Sequence, residues 1–183
     1  MSSIKEVEIP LTQQDINELE AGDQVNLSGT IYTARDTAHD RLLDDLDSDD
    51  MPMELEGSVI YYVGPCPARE HQVIGSCGPT TSYRMDPFTP GLIEEGLKGM
   101  IGKGPRSEKV IESMQDRAVY FAAIGGAAAV IADSVTEAEV IAYPDLGTEA
   151  VRRLEVDQFP CIVAIDARGN NLYETGVEKY REE

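Results

Sequence analysis

Residues 75–104 read GSCGPTTSYRMDPFTPGLIEEGLKGMIGKG, a run of threonines, cations, glycines and prolines in a chain that is otherwise very acidic. A Gly-Pro pair interrupts the preceding segment, and Thr80 and Thr81 then stand where a helix is expected to begin. Threonine is a favoured N-cap residue, and the first backbone N–H groups of a helix are free to bind an anion. Arg84 follows one turn later, on the side of the helix that carries Thr81. Together these residues predict a pocket for a small molecule with carboxylate groups.

Two further cations extend this prediction. Lys103 stands between Gly102 and Gly104, whose missing side chains allow a ligand or another backbone to come close. The GKG segment does not fit the phosphate-loop pattern GxxxxGK[ST]. Arg35, in TARDTAH, follows a predicted strand, and its planar guanidinium suits bidentate binding of a carboxylate. The alternative interpretation of TARDTAH is a helix cap at Asp36 beside a surface arginine.

Fewer residues could transfer protons than could bind an anion. The hydroxyl of Thr80 titrates far above neutral pH, so it would need a strong nearby positive charge or a role as a proton relay. His39 lies on the same predicted helix face as Asp36, and His71 is interpreted as structural. The three cysteines have no CxxC spacing and are interpreted as small buried or loop thiols: Cys66, Cys77 and Cys161. With no metal-ligand set and no evident acid–base pair, we expect the rest of the site to come from another chain.

The composition excludes several classes of partner. The formal net charge is -19, from 34 acidic against 15 basic residues, which argues against binding to nucleic acid or to an anionic membrane surface. An acidic, lysine-poor surface is typical of a protein from a high-salt cytoplasm, where screening weakens self-repulsion. No signal peptide and no run of 18 apolar residues is evident, so we expect a cytoplasmic protein.

Hydrophobic periodicity predicts a mixed α/β domain. Strands are predicted at residues 4–9, 24–33 (with a bulge at Gly29), 58–63 and 161–166 and after residue 118, and helices after Thr12, near Asp36 and at 107–118. Less regular segments are interpreted as a short strand at 71–74, a helix at 147–155 and a charged tail after LYETG. Several strands follow one another through short loops, which indicates a mixed central sheet flanked by helices. The absence of a repeat or linker predicts a single domain over residues 1–183.

Four segments carry a resemblance to a known family: GDQVNLSGTIYTARDTAH, GSCGPTTSYRMD, GMIGKG and FPCIVAIDARGNNLY. The chain resembles the β subunit of two-subunit class I fumarate hydratases, which is equivalent to the C-terminal domain of the single-chain enzymes. It also resembles the related β subunit of L(+)-tartrate dehydratase. The resemblance covers nearly the whole chain, and its most specific part is GPTTSYRMD followed by GKG nineteen residues after Arg84.

The resemblance implies a swivelling β/β/α domain that closes over a [4Fe-4S] cluster held by the α subunit, not by this chain. Three cysteines of the α subunit would hold that cluster and leave one iron open as a Lewis acid. By the same resemblance, Arg35, Arg84 and Lys103 grip the dicarboxylate, Thr81 hydrogen-bonds to it, and Thr80 is the catalytic base. An aspartate of the α subunit would be the other proton-transfer group, in a heterotetramer of two α and two β subunits.

Three functions remain open at this point. No motif separates fumarate and L-malate from L(+)-tartrate, and we favour fumarate because central metabolism is the commoner need. The third alternative is a non-catalytic module that binds a dicarboxylate or supports assembly. Retention of all five residues weighs against that alternative, since a purely structural role needs none of these cations: Arg35, Thr80, Thr81, Arg84 and Lys103.

Overall fold

The computed structural model describes residues 4–46, 48, 50–123 and 128–180, without the side chains of 177–180. The strands β1 to β7 are Lys5–Ile9, Gln24–Thr33, Val59–Tyr61, Gly99–Gly102, Val119–Ala123, Val135–Ala142 and Val151–Ile165. The α-helices α1 to α6 are Gln13–Glu18, Asp36–Leu46, Thr89–Glu94, Glu108–Met114, Ala128–Asp133 and Leu172–Tyr180. Two 3-10 helices span Ser82–Met85 and Pro144–Glu149.

Five of the strands close into a barrel. β2, β3, β4 and β5 lie side by side in parallel, and β7 joins β5 back to β2 in antiparallel pairing with both. β1 pairs in parallel with β2, and β6 pairs antiparallel with β7. The predicted fold class, mixed α/β with a mixed central sheet flanked by helices, is therefore confirmed. The single domain over residues 1–183 stays a prediction.

β7 is the strand that closes the ring. One edge of its 15 residues pairs with β2 along the whole of β2, from Gln24 to Thr33. The other edge pairs with β6 along its first half and with β5 along its second half. The register between β2 and β7 shifts between Leu27 and Gly29, which confirms the predicted bulge at Gly29.

Alternate residues of the strands supply two hydrophobic clusters. In β5, Val119 and Phe121 belong to one cluster and Tyr120 to the other, because successive side chains point to opposite faces of a strand. The second cluster packs the strands against the helices through Leu42 of α2 and Val110 of α4, and both side chains are fully buried. The helices are therefore fixed against the outside of the sheet by the same strands that carry the loops described below.

The predicted helix starts agree with the structure better than the predicted end of the last element does. Thr12 caps α1 in a capping box, in which its hydroxyl accepts from the Asp15 N–H and the Asp15 carboxylate accepts from the Thr12 N–H. α2 begins at Asp36, where a helix was predicted. Residues beyond LYETG were predicted to be a charged tail, but α6 continues to Tyr180.

Two other predicted elements are wrong. The segment 71–74 is loop, and His71 has a positive φ of 70°, which does not suit a strand. The segment 147–155 was predicted to be helical, but β7 begins at Val151. Residues 151–155 include good helix formers such as Arg152 and Leu154, yet this stretch of β7 pairs with β2 and β6, so tertiary pairing outweighs local preference.

Candidate functional site

The predicted site residues lie where three neighbouring parallel strands end. Arg35 comes two residues after β2, and Lys103 comes directly after β4. Between them, the Thr80 N–H donates to the carbonyl of Tyr62, the residue that follows β3, at 2.7 Å. Ligand sites of α/β proteins commonly lie outside the carboxyl ends of parallel strands. We refer to this end of the barrel, formed by the residues that follow β2, β3 and β4, as the rim.

Thr81 and Ser82 join residues 80–82 to the end of β4. Thr81 forms an isolated parallel bridge with Lys103, and the Ser82 N–H donates to the Lys103 carbonyl at 2.9 Å. Thr81 stands at the N-cap position of a four-residue 3-10 helix, but its side chain makes no capping hydrogen bond. The predicted anion site made of free helix N–H groups is therefore wrong in part, because the amides of Thr80 and Ser82 are taken by strand-like bonds.

Gly102 allows this attachment. A Cβ atom at Gly102 would lie 1.9 Å from Ser82 Oγ and 3.0 Å from the ring of Tyr62. Ser82 Oγ accepts from the Lys103 N–H at 3.1 Å and from the Tyr120 hydroxyl at 2.9 Å. Gly102 thus allows close packing of residues 80–82, and the exposed Lys103 side chain extends from a backbone that is hydrogen-bonded to Ser82.

Arg35 lies against the loop that follows β3. A Cβ atom at Gly64 would lie 3.2 Å from Arg35 Cδ, so any larger residue there would press against the side chain of Arg35. Arg35 Nη1 forms an ion pair with Glu149 Oε1 at 3.0 Å, and the two side chains are 22% and 24% exposed. Glu149 ends the second 3-10 helix, more than a hundred residues from Arg35 in sequence, which is why sequence reasoning missed it.

Asp36 lies between the two arginines. Its Oδ2 accepts from Arg84 Nη2 at 2.5 Å, and its Oδ1 lies 3.9 Å from Arg35 Nε. Sequence reasoning assigned Asp36 to a helix cap, but its carboxylate contacts the guanidinium of Arg84 and caps no backbone N–H group. Its position beside Arg35 in the RD pair was the available signal.

His39 lies one turn after Arg35 and is fully buried. Its Nδ1 is 2.8 Å from the Arg35 carbonyl oxygen, which can only accept, so the proton of the neutral ring lies on Nδ1. Burial is the largest cause that lowers the pKa of His39 to about 4, and the nearby Arg106 lowers it further. The ring therefore stays neutral near pH 7 and holds the backbone of Arg35. His71, in contrast, is an exposed loop residue.

Arg106 is a buried cation that sequence reasoning missed. Its side chain is 0% exposed, and its Nε donates to Asp86 Oδ1 at 2.7 Å. Its Nη2 donates to Thr89 at 2.8 Å, and its guanidinium lies about 5 Å from the ring centres of Tyr62 and Tyr120. Asp86 follows Arg84, and Arg106 follows the GKG segment, so this pair joins the two loops that carry the predicted cations. The signal was an arginine directly after GKGP.

The described cysteines do not form a ligand set. Cys66 is exposed, whereas Cys77 and Cys161 are buried, and burial raises the pKa of the Cys77 thiol to about 11. The Tyr61 hydroxyl donates to the Cys77 carbonyl, which fixes the chain three residues before Thr80. Within the described ranges, no three His, Cys, Asp or Glu side chains come together as metal ligands, so these residues do not fit an iron–sulfur cluster.

The rim therefore combines three accessible cations with two carboxylates. Arg84 and Lys103 are exposed, and Arg35, Thr80 and Thr81 are half-buried. A neighbouring cleft of about 510 Å³ has mostly apolar walls, and none of these five residues lines it. The cations lie at an open edge, where guanidinium and ammonium groups can bind a small anion.

In the described part of the chain, no helix is long and apolar enough to cross a membrane.

Fold and rim together define a mixed α/β barrel with a cationic edge at the ends of its parallel strands. A family model described as Fumarase C-terminus matches residues 2–176, and the chain belongs to that family. The resemblance found in the sequence is thereby confirmed.

Three relatives illustrate the range of the family. The chain is 41% identical over 172 residues to a Methanocaldococcus jannaschii protein named "Putative L(+)-tartrate dehydratase subunit beta", covering 90% of this chain and 88% of the relative. It is 36% identical to fumarate hydratase 2 of Leishmania major, covering 90% of this chain and 30% of that protein. It is 35% identical to the aerobic class I fumarate hydratase of Escherichia coli, covering 93% of this chain and 31% of that protein. The chain spans about a third of the length of the fumarate hydratases it matches.

Proposed function

We propose that this chain is the β subunit of a hydro-lyase that interconverts fumarate and L-malate. The observation that supports this proposal most is the convergence of Arg35, Arg84 and Lys103 on the rim, where Thr81 and Lys103 are bridged through their backbones. Removal of a proton next to a carboxylate builds up negative charge on that carboxylate. Fixed cations stabilise such charge most where they are already oriented.

In this proposal the two arginines and the lysine bind the two carboxylates of the substrate. The guanidinium of Arg84 contacts Asp36 through Nη2 only, so its other donors remain available for a carboxylate. Thr81, at the backbone bridge to Lys103, would donate its hydroxyl to the substrate. The formal charge of the group formed by Arg35, Arg84, Lys103, Asp36 and Glu149 is positive, in a chain of net charge -19. A dianion would therefore bind there in preference to the rest of the surface.

Thr80 is the proposed proton-transfer residue of this chain. Its backbone is fixed by the bond to Tyr62, and its half-buried hydroxyl stands on the cationic rim. Positive charge favours the deprotonated form of a hydroxyl, which is the direction that a base requires. A relay of the proton to a group on another chain is an equivalent role for this residue.

The proposal includes an α subunit that holds a [4Fe-4S] cluster, in an assembly of two α and two β subunits in the cytoplasm. The M. jannaschii relative is named as a subunit, and the single-chain relatives are about three times longer than this chain, which supports a missing partner. The described residues of this chain offer no cluster ligands, so we assign none of its side chains to the cluster.

The test is an anaerobic assay of this chain alone, of its α partner alone and of the mixture. Each is supplied with fumarate, L-malate or L(+)-tartrate. Turnover of fumarate and L-malate only in the mixture is the expected result. Turnover by this chain alone would contradict the split site.

L(+)-tartrate dehydration is the second candidate function. It is favoured by one observation: the relative that the chain covers almost end to end, at 41% identity, is named for that activity. The same assay separates the two, because the preferred substrate is read directly. Dicarboxylate binding without turnover in any mixture with an intact cluster would instead support the non-catalytic module.

A further inference from the structure

Unpartnered polar atoms are concentrated in one short segment of the rim. Among the described residues, four buried side-chain nitrogen or oxygen atoms lack a hydrogen-bond partner, and three belong to Arg35, Asp36 and His39. Buried polar groups in folded proteins are nearly always paired, and exceptions are found at functional sites more often than elsewhere. The segment 35–39 therefore has side-chain polar atoms that form no hydrogen bond within this chain.

The unpartnered atoms of Arg35 and Asp36 face each other. Arg35 Nε and Asp36 Oδ1 are 3.9 Å apart, too far for a hydrogen bond, although the charges are opposite. The other oxygen of Asp36 holds Arg84 at 2.5 Å. One carboxylate thus stands between two guanidiniums and is committed to only one of them.

We propose that Asp36 is a positioning residue that sets the orientation of Arg84, and through its charge that of Arg35, for substrate binding. The inference rests on the proposed function for its catalytic consequence, but the contact between Asp36 and Arg84 can be tested without turnover. Asp36 holds Arg84 by one nitrogen at the first turn of α2, a helix whose Leu42 is fully buried in the hydrophobic core. In this proposal the remaining donors of the guanidinium are left as a planar fork for a carboxylate of the substrate.

A structural role is the competing explanation for this ion pair. The Arg84 side chain is 44% exposed and that of Asp36 is 28% exposed, and pairs at such positions contribute little to stability. Arg35 also has a second counter-ion in Glu149. Loss of the Asp36 charge should therefore change the geometry of the rim much more than the stability of the fold.

The first experiment is NMR spectroscopy of the full chain labelled with ¹⁵N-arginine. The Arg84 side-chain signals are identified as those that disappear in Arg84→Lys. In the wild type we expect slow rotation of the Arg84 guanidinium, because Asp36 holds it. Asp36→Asn should restore fast rotation. Asp40→Asn, which changes an exposed aspartate one turn later on the same helix, should leave the Arg84 signals unchanged. Identical Arg84 signals in wild type and Asp36→Asn would overturn the proposal.

The second experiment measures kcat and KM of the assembled enzyme. A hydrogen bond between two charged groups is stronger than one between neutral groups, and Asp36→Asn removes one of the two charges. We therefore expect Asp36→Asn to lower kcat/KM about tenfold to a hundredfold. In the Arg84→Lys background the same change should have a much smaller effect, since Asp36 acts mainly through Arg84. A full additional loss in that background would overturn the proposal. If the wild-type assembly shows no turnover, the proposed function fails, and the arginine signals still decide whether Asp36 orients Arg84.

Discussion

Thr80 is a half-buried residue whose backbone N–H donates to the carbonyl of Tyr62. If its hydroxyl moves a proton, Thr80→Val should lower kcat by about a hundredfold or more and change KM little, because the methyl group fills the same space. Thr81→Val is the matched control: it removes a hydroxyl one residue away and should mainly raise KM. The measurement is steady-state kinetics of the assembled enzyme. A Thr80→Val effect confined to KM would make Thr80 a binding residue.

His39 predicts a pH dependence of stability. Its pKa is about 4 in the folded chain and near 6.5 in the unfolded chain, so the unfolded state takes up the proton first as the pH falls. The stabilising contribution of the neutral ring is complete above about pH 6.5 and is lost as the pH falls towards 4.

Between pH 7 and pH 5 we expect the wild type to lose about 2 kcal/mol of unfolding free energy more than His39→Gln does. Urea unfolding at the two pH values measures the difference. His71→Gln is the control, because His71 is exposed and lies in a loop. If His39→Gln and wild type respond equally to pH, the ring is not buried as a neutral group.

At the residue scale, the sequence predicted which residues form the candidate site better than it predicted the contacts between their side chains. Arg35, Arg84 and Lys103 were selected from their local surroundings, and the structure brings all three to one rim. Asp36 was assigned a local role, and Glu149 was not selected at all. Its pairing with Arg35 depends on the path of the chain between them, which no local pattern encodes.

At the scale of elements, Arg106 and Asp86 tie the loop after β4 to the 3-10 helix that carries Arg84. Arg106→Met removes a buried guanidinium that donates to Asp86, Thr89 and Tyr62. Loss of one partner of a buried ion pair costs about 3–5 kcal/mol, so a large fall in thermal stability is expected.

Arg106→Lys tests whether charge or geometry matters at this position. It keeps the charge but not the fork that reaches several acceptors at once, and we expect it to recover only part of the lost stability. The double variant Arg106→Met with Asp86→Asn should be more stable than Arg106→Met alone, because it no longer buries an unpaired carboxylate. Thermal unfolding of the full chain measures all three. Equal melting temperatures for wild type and Arg106→Met would contradict the account.

The elements themselves were predictable to different degrees. β2 and the start of α2 follow periodic patterns and were placed correctly. β4, the strand that positions Lys103, was not predicted, because Gly99–Gly102 has only two apolar side chains and two glycines. The segment 147–155 was assigned to a helix for the opposite reason: its local preference is strong, but the partners of β7 determine its structure.

For the whole molecule, the charge of -19 predicts a dependence on salt. Like charges spread over a surface repel one another, and high ionic strength screens that repulsion. We expect the melting temperature of the chain to be higher in molar potassium chloride than in dilute buffer. Calorimetry in both solutions measures it, and equal melting temperatures would contradict the interpretation of a high-salt protein.

β7 has a consequence for synthesis on the ribosome. β2 is made early, but its partner along the whole of one edge is made more than a hundred residues later. Until residues 151–165 have left the exit tunnel, β2 and β5 each present an open edge, and the ring cannot form. Loop closure over so long a separation is slow, so these two edges are open to pairing with other chains for most of the time that the protein is being made.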